Sequence, residues 1–217
     1  MRGTKKIDWL NHFLEFIVVV IGILLAFQLN TCREDKKEQA LVSSHAENVL
    51  EETLFNQKQI QAGMNTSEML LHKLDSLITI TSKESFSIEQ AHILSMELMA
   101  LDYLYIKKNA YNSMVETGDI RFMTNTQMQT DIISLYEYYK WLEGVDMSTR
   151  TAYLNNYLPY ATENFDLVTS KPQAATIYSN KLFRNYLSVY QYSLRFRLQK
   201  QKDLLVVVNN FLEDNTP

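Results

Sequence analysis

The chain has 217 residues, 21 Lys and Arg against 25 Asp and Glu, a net charge of −4, five glycines, three prolines and one cysteine. So few turn formers argue against an all-β domain with many chain reversals. Mild acidity without basic runs argues against a nucleic-acid surface, and one cysteine excludes an intrachain disulfide.

The first element is the apolar run Phe13 to Thr31, FLEFIVVVIGILLAFQLNT. A helix crosses a hydrocarbon layer of ~30 Å with about 20 mostly apolar residues, and Trp9 to Leu29 supplies that length. Glu15 and Gln28 lie where they reach the headgroups, and Trp9 suits the interface. A run apolar on all sides and flanked by charge reads as a membrane anchor rather than a buried core helix, so the lipid bilayer is the first expected partner. Arg2, Lys5 and Lys6 resemble the basic start of a signal peptide, but Phe27-Gln28-Leu29-Asn30-Thr31 lacks a small-residue cleavage site. An uncleaved anchor is the reading adopted. Leu29-Asn30-Thr31-Cys32 also spaces a cysteine as a lipoprotein signal does, although lipidation favours small residues before the cysteine. In an oxidising compartment Cys32 could instead cross-link two copies.

Gly22 and Ala26 form a small pair four residues apart, a candidate face for helix packing in the membrane. Basic residues are nearly balanced across the anchor, with Arg2, Lys5 and Lys6 before it and Arg33, Lys36 and Lys37 after it. The simplest topology makes 1–12 a short cytoplasmic N-terminus, 13–31 the transmembrane helix and 32–217 an extracytoplasmic domain. That last part is large enough for one core.

From Lys36 to Ile80 apolar residues recur at three- and four-residue steps: Leu41, Val49, Leu50, Leu54, Ile60, Met64, Leu70, Leu71, Leu74, Leu77 and Ile78. That is an amphipathic helix, and no stop signal separates it from the anchor. Ser87-Ile88-Glu89-Gln90 fits a capping box, opening a helix from Ile88 to about Leu101. A connection over Asp102 to Lys108 follows. Asn109 is read as the cap of a short helix, Ala110 to Thr117, which Gly118 ends through its tolerance of positive φ. Asp119 to Asn125 turns the chain. Thr126 opens another helix, which Gly144 and Pro159 should bend or interrupt. After a loop at Ser170-Lys171-Pro172, a last helix runs from about Ser179 to Glu213, with Leu182, Tyr186, Val189, Leu194, Leu198, Leu205 and Val208 inward. The expected fold is all-α: a transmembrane helix continuing into a bundle of four or five helices.

Catalytic signals are sparse. Glu89 and His92 make one E-x-x-H, and Glu68 and His72 lie four apart, whereas di-iron bundles need two such motifs and two further glutamates. Ordinary helix surface explains both pairs, and His45 beside Glu47 and Glu51 reads as a solvated face. There is no H-x-x-x-H, no nucleophile elbow and no Gly-rich phosphate loop. No enzyme activity, cofactor or metal is expected. Tyr136, Tyr138, Tyr139 and Trp141 cover several faces of one helix, so some must be exposed. Aromatics with a polar tip suit both interfaces and core edges, and these four are the candidate interaction residues.

Two stretches carry a resemblance. IVVVIGILLAFQLN before a charge cluster, and Tyr111-Asn112-Ser113-Met114-Val115-Glu116-Thr117-Gly118-Asp119-Ile120-Arg121-Phe122-Met123, resemble an uncharacterised Bacteroidetes-type family of single-pass membrane proteins. Its anchors read like VVIGILIALQINNWNE. This chain departs from the pattern at Thr31-Cys32-Arg33 and at the Thr117-Gly118-Asp119 turn. The resemblance implies an inner-membrane anchor with a periplasmic helical domain, and brings no functional residues. The function expected is a membrane-anchored scaffold or interaction module, assembling with itself or another envelope protein. The alternative is a ligand-binding sensory ectodomain acting through a partner.

Overall fold

The computed structural model describes residues 9–100 and 103–215. Residues 1–8, with Arg2, Lys5 and Lys6, lie outside the described residues, as do Leu101, Asp102, Thr216 and Pro217. All regular structure among the described residues is helical.

One helix, α1, runs unbroken from Trp9 to Thr81. It is long and apolar enough near its start to cross a membrane, and none of that window is buried against the rest of the chain. Residues 31–41 are exposed, and the domain first closes around α1 at Val42. No structural break therefore marks the boundary read at residues 31 and 32. Beyond it, buried residues follow steps of four and three: Val49, Thr53, Asn56, Ile60, Gly63, Ser67, Leu70, Leu74, Leu77 and Thr81. That is the seam spacing of helices packed at a shallow angle. Leu41 and Leu54 lie outside it and are exposed.

α2 (Ile88–Glu97) begins as expected, with Ser87 Oγ accepting the Gln90 N–H at 3.2 Å. α3 (Asn109–Glu116) is capped differently. Its N-cap, Lys108, makes no side-chain capping bond to the helix, its ammonium pairing with Glu143 instead. Glu52 of α1 instead accepts the Ala110 N–H at 3.1 Å and the Tyr136 hydroxyl. Asn109 was read as the cap because only local partners are legible in a sequence; the acceptor comes from 58 residues away. Replacing Glu52 by Ala strands a buried hydroxyl and a helix-end amide, and is expected to cost about 2–4 kcal/mol. A shift in the urea midpoint at constant slope measures this, with recovery in Glu52→Gln; an unshifted midpoint refutes it.

Gly118, at φ 77°, ends α3 as expected and leads into a 3-10 turn, Asp119–Phe122. α4 (Thr126–Ala152) starts from Asn125, whose side chain accepts the Met128 N–H. Gly144 does not interrupt it. Pro159 does disturb the ladder: a π-helical segment, Tyr153–Tyr157, separates α4 from α5 (Leu158–Asn164). Proline has no N–H to donate and crowds the carbonyl four residues back, so the register slips by one just before it. A one-turn helix, α6 (Ala175–Tyr178), precedes α7 (Lys181–Asn215).

α7 runs back antiparallel along α1, crosslinked by Gln57–Asn209 (2.7 Å), Ser67–Gln201 (3.1 Å) and Lys202–Glu68 (2.9 Å). Its buried stripe is Phe183, Leu187, Tyr190, Leu194, Arg197, Gln201, Leu204, Val208 and Phe211. The expected inner side shared only Leu194 and Val208 with it; Leu182 and Val189 are exposed. Tyr186, Leu198 and Leu205 pack half-buried at the core's edge; Arg197 and Gln201 occupy core positions, so a stripe chosen by apolarity alone is displaced from the centre of the buried face. The distal core is aromatic, with Tyr153, Tyr157, Tyr160, Phe165, Tyr178, Phe183 and Tyr190 in one cluster.

Candidate functional site

The four aromatics of α4 divide by helical geometry. At about 100° per residue they cannot share a face. Tyr136 and Tyr139 turn inward, 4 % and 0 % exposed, which corrects their reading as interaction residues. Tyr136 stacks on Tyr111 with ring centroids 4.2 Å apart. Burial, then the hydrogen bond to Glu52, push its phenol well above the usual range, and burial pushes Tyr139 to about 12. These two belong to the core.

Tyr138 and Trp141 face outward, each 43 % exposed. Trp141 walls a groove of about 480 Å³ with Gly144, Val145 and Ser148 of α4 and Phe196 of α7, between Glu137 and Lys140. A second groove of about 340 Å³ joins it on the Ser134 and Tyr138 side. Phe196 is 46 % exposed. Lys200 leans over both rings, its Nζ 5.0 Å from the Trp141 centroid and 5.6 Å from that of Phe196. The same ammonium pairs with Asp203 at 2.9 Å, which holds it at the rim. Trp141 and Tyr138 were legible as candidates. Gly144 was read only as a bend, and Phe196 was missed because it meets Trp141 from another helix.

The histidines go elsewhere. His92 is buried, with Nε2 2.9 Å from the Ser170 carbonyl and Nδ1 2.9 Å from the Tyr178 hydroxyl. A carbonyl only accepts, so Nε2 carries the proton and Nδ1 accepts from Tyr178. Tyr178 in turn accepts the Gln173 N–H. The imidazole pins the loop after α5, where Ser170 has φ 50°, while Glu89 is exposed. The E-x-x-H therefore does not converge. Glu68 pairs with Lys202 rather than with His72. Among the described residues no group of three His, Cys, Asp or Glu side chains could hold a metal ion.

His45 is not on a solvated face: it lies 3.0 Å from Asp119, which also accepts the Thr117 hydroxyl at 2.6 Å. It borders an open hollow of about 470 Å³ with Glu51, Glu52 and Lys107. Gly22 and Ala26 lie on the bare part of α1, with no atom within 4 Å of a Cβ built on Gly22. Cys32 is free and exposed. No family model, curated protein or solved structure matches the chain.

Proposed function

We propose that the chain is a membrane-anchored helical scaffold or protein-interaction module of the bacterial envelope. Phe13 to Thr31 holds it in the inner membrane as a single pass, with the bundle on the periplasmic side, and it docks through the face around Trp141. The observation that supports this reading is the pairing of exposed Trp141 and Tyr138 with Phe196 around a largely apolar groove. Aromatic anchors beside a depression are the common core of protein interfaces. The anchor accords with the Bacteroidetes-type family that it resembles. With α1 rigid and continuous, the end of the bundle at Thr81 stands about 75 Å along the helix from Thr31, at ~1.5 Å per residue. A sensory ligand-binding domain calls for an enclosed cavity, whereas the grooves at Trp141 and His45 open to solvent.

The test is purification from native membranes in mild detergent, with the mass of the complex measured for the wild type and for Trp141→Ala. The wild type is expected to retain a second subunit stoichiometrically. Trp141→Ala should weaken it by about 2 kcal/mol or more, roughly thirtyfold, as a hot-spot aromatic would. A lone wild-type chain, or a complex indifferent to Trp141, refutes the reading.

A further inference from the structure

We infer that residues 107–122, which carry α3 and the 3-10 turn, form a strap that opens from α1 as one unit. α1, α4 and α7 stay packed when it does, so the strap is a conformational switch at the end of the bundle nearest the apolar segment. Its two ends are anchored by buried apolar side chains, Ile106 and Met123. Between them only Met114 and Asp119 are buried, and the Tyr111 ring rests on Tyr136. What ties the strap down is polar. The fully buried Asn56 amide donates to the Lys107 carbonyl and accepts the Lys107 N–H, both at 2.8 Å. Glu52 accepts the Ala110 N–H, and His45 donates to Asp119. On the α4 side, Lys108 pairs with Glu143 at 2.6 Å and Gln129 donates to the Ile120 carbonyl at 2.8 Å.

The part of α1 beneath the strap carries Glu52, Thr53 and Asn56 at buried positions, where Leu70, Leu74 and Leu77 hold the stripe farther along. A protein hydrogen bond contributes little net stability because water replaces it, whereas buried apolar area has no such substitute. The hollow of about 470 Å³ runs along the strap's edge, lined by His45, Glu52, Lys107, Ala110 and Ser113. Solvent therefore already reaches these latches. The rest of the bundle is not held through the strap. α7 is crosslinked to α1 by Gln57–Asn209 and Ser67–Gln201 and to α4 by Arg197–Asp146, and Tyr136 donates to Glu52 directly. Neither end of the strap requires a helix to unwind, since 103–108 and 123–125 are non-helical. Segments with few buried apolar contacts and solvent-accessible bonds open before the whole domain does. The open strap bares Glu52, Asn56 and the face of Tyr136 that Tyr111 covers when it is closed.

Residue-resolved hydrogen exchange on the full chain in detergent tests this at four amides: Lys107 and Ala110, bonded to α1, and Asn112 and Thr117, bonded within the strap. All four are expected to share one protection factor, about tenfold or more below that of the α7 amides from Leu198 to Val208. His45→Ala cuts the latch at Asp119 and should speed all four about fivefold, Lys107 at the opposite end of the strap included. Asp146→Ala weakens the packed helices equally with the strap closed or open. It should leave the four amides unchanged while speeding the α7 amides about a hundredfold or more. Should Asp146→Ala fail to fold, urea below the unfolding transition gives the same contrast in the wild type. The α7 amides then accelerate steeply and the strap amides only shallowly, because strap opening exposes less surface. Protection equal to that of α7, or acceleration in step with it, overturns the inference, because the strap then leaves only with the whole bundle. So does a His45→Ala effect that is absent or confined to the residues beside Asp119, since the strap then does not move as a unit.

Discussion

Between pH 10 and pH 11 the bundle is expected to lose about 4 kcal/mol of stability, a large part of what holds most domains folded. Four buried phenols set this figure. Burial, as the largest cause, raises Tyr136, Tyr139, Tyr157 and Tyr190 above the usual tyrosine value. The unfolded chain ionises these groups near pH 10, whereas the folded chain keeps them neutral, so above that pH protons leave the unfolded state first. The stabilisation is complete below pH 10 and falls as the pH rises toward the folded values, by about 1 kcal/mol per phenol over the first pH unit, approaching about 1.4 kcal/mol per unit beyond it. The buried phenols' share of the tyrosinate absorbance and the far-UV circular dichroism, followed together in detergent, should change in one cooperative step. Smooth titration of these tyrosines near pH 10 with helicity intact would refute the account.

Asp146→Ala is expected to destabilise the bundle by about 3–5 kcal/mol, the range for removing one partner of a buried ion pair. Arg197, on α7, is 1 % exposed, and its Nη2 lies 2.6 Å from Asp146 Oδ1 on α4. Without the carboxylate a guanidinium that cannot deprotonate stays buried. The double replacement Asp146→Leu with Arg197→Met should recover most of the loss, because apolar side chains of similar size avoid the desolvation of both charges. Urea unfolding of the wild type, the single variant and the double variant measures both effects. If the double variant is no more stable than Asp146→Ala, the charge is not what makes the single variant costly. The exposed pair Arg195–Asp75, 3.0 Å apart with both side chains about half exposed, should matter far less, since solvent screens it.

The boundary signals that worked in the sequence are those with short reach. Ser87 caps its helix through an amide three residues on, and Gly118 takes the left-handed turn that its missing Cβ permits. Pro159 perturbs the helix because the missing donor is a property of the residue itself. Signals depending on distant groups failed: Glu52 caps α3 from α1, His45 finds Asp119, and Arg197 enters the core because Asp146 is there to meet it. For the candidate site, Trp141 and Tyr138 were visible as aromatics on a helix. Which of the four tyrosine and tryptophan positions face out depends on where α7 and α1 lie.

The sequence by itself determined the helical class, the apolar N-terminal helix without a stop before the domain, and the rough order of elements. All of these follow from composition and from periodicity within one segment. Only the tertiary structure decided which face of α7 is buried, that Tyr136 and Tyr139 are core, and that Phe196 joins Trp141 around Gly144. Those outcomes depend on pairs more than 40 residues apart in the chain, and the free energy of such a pair exists only once the two helices are packed against each other.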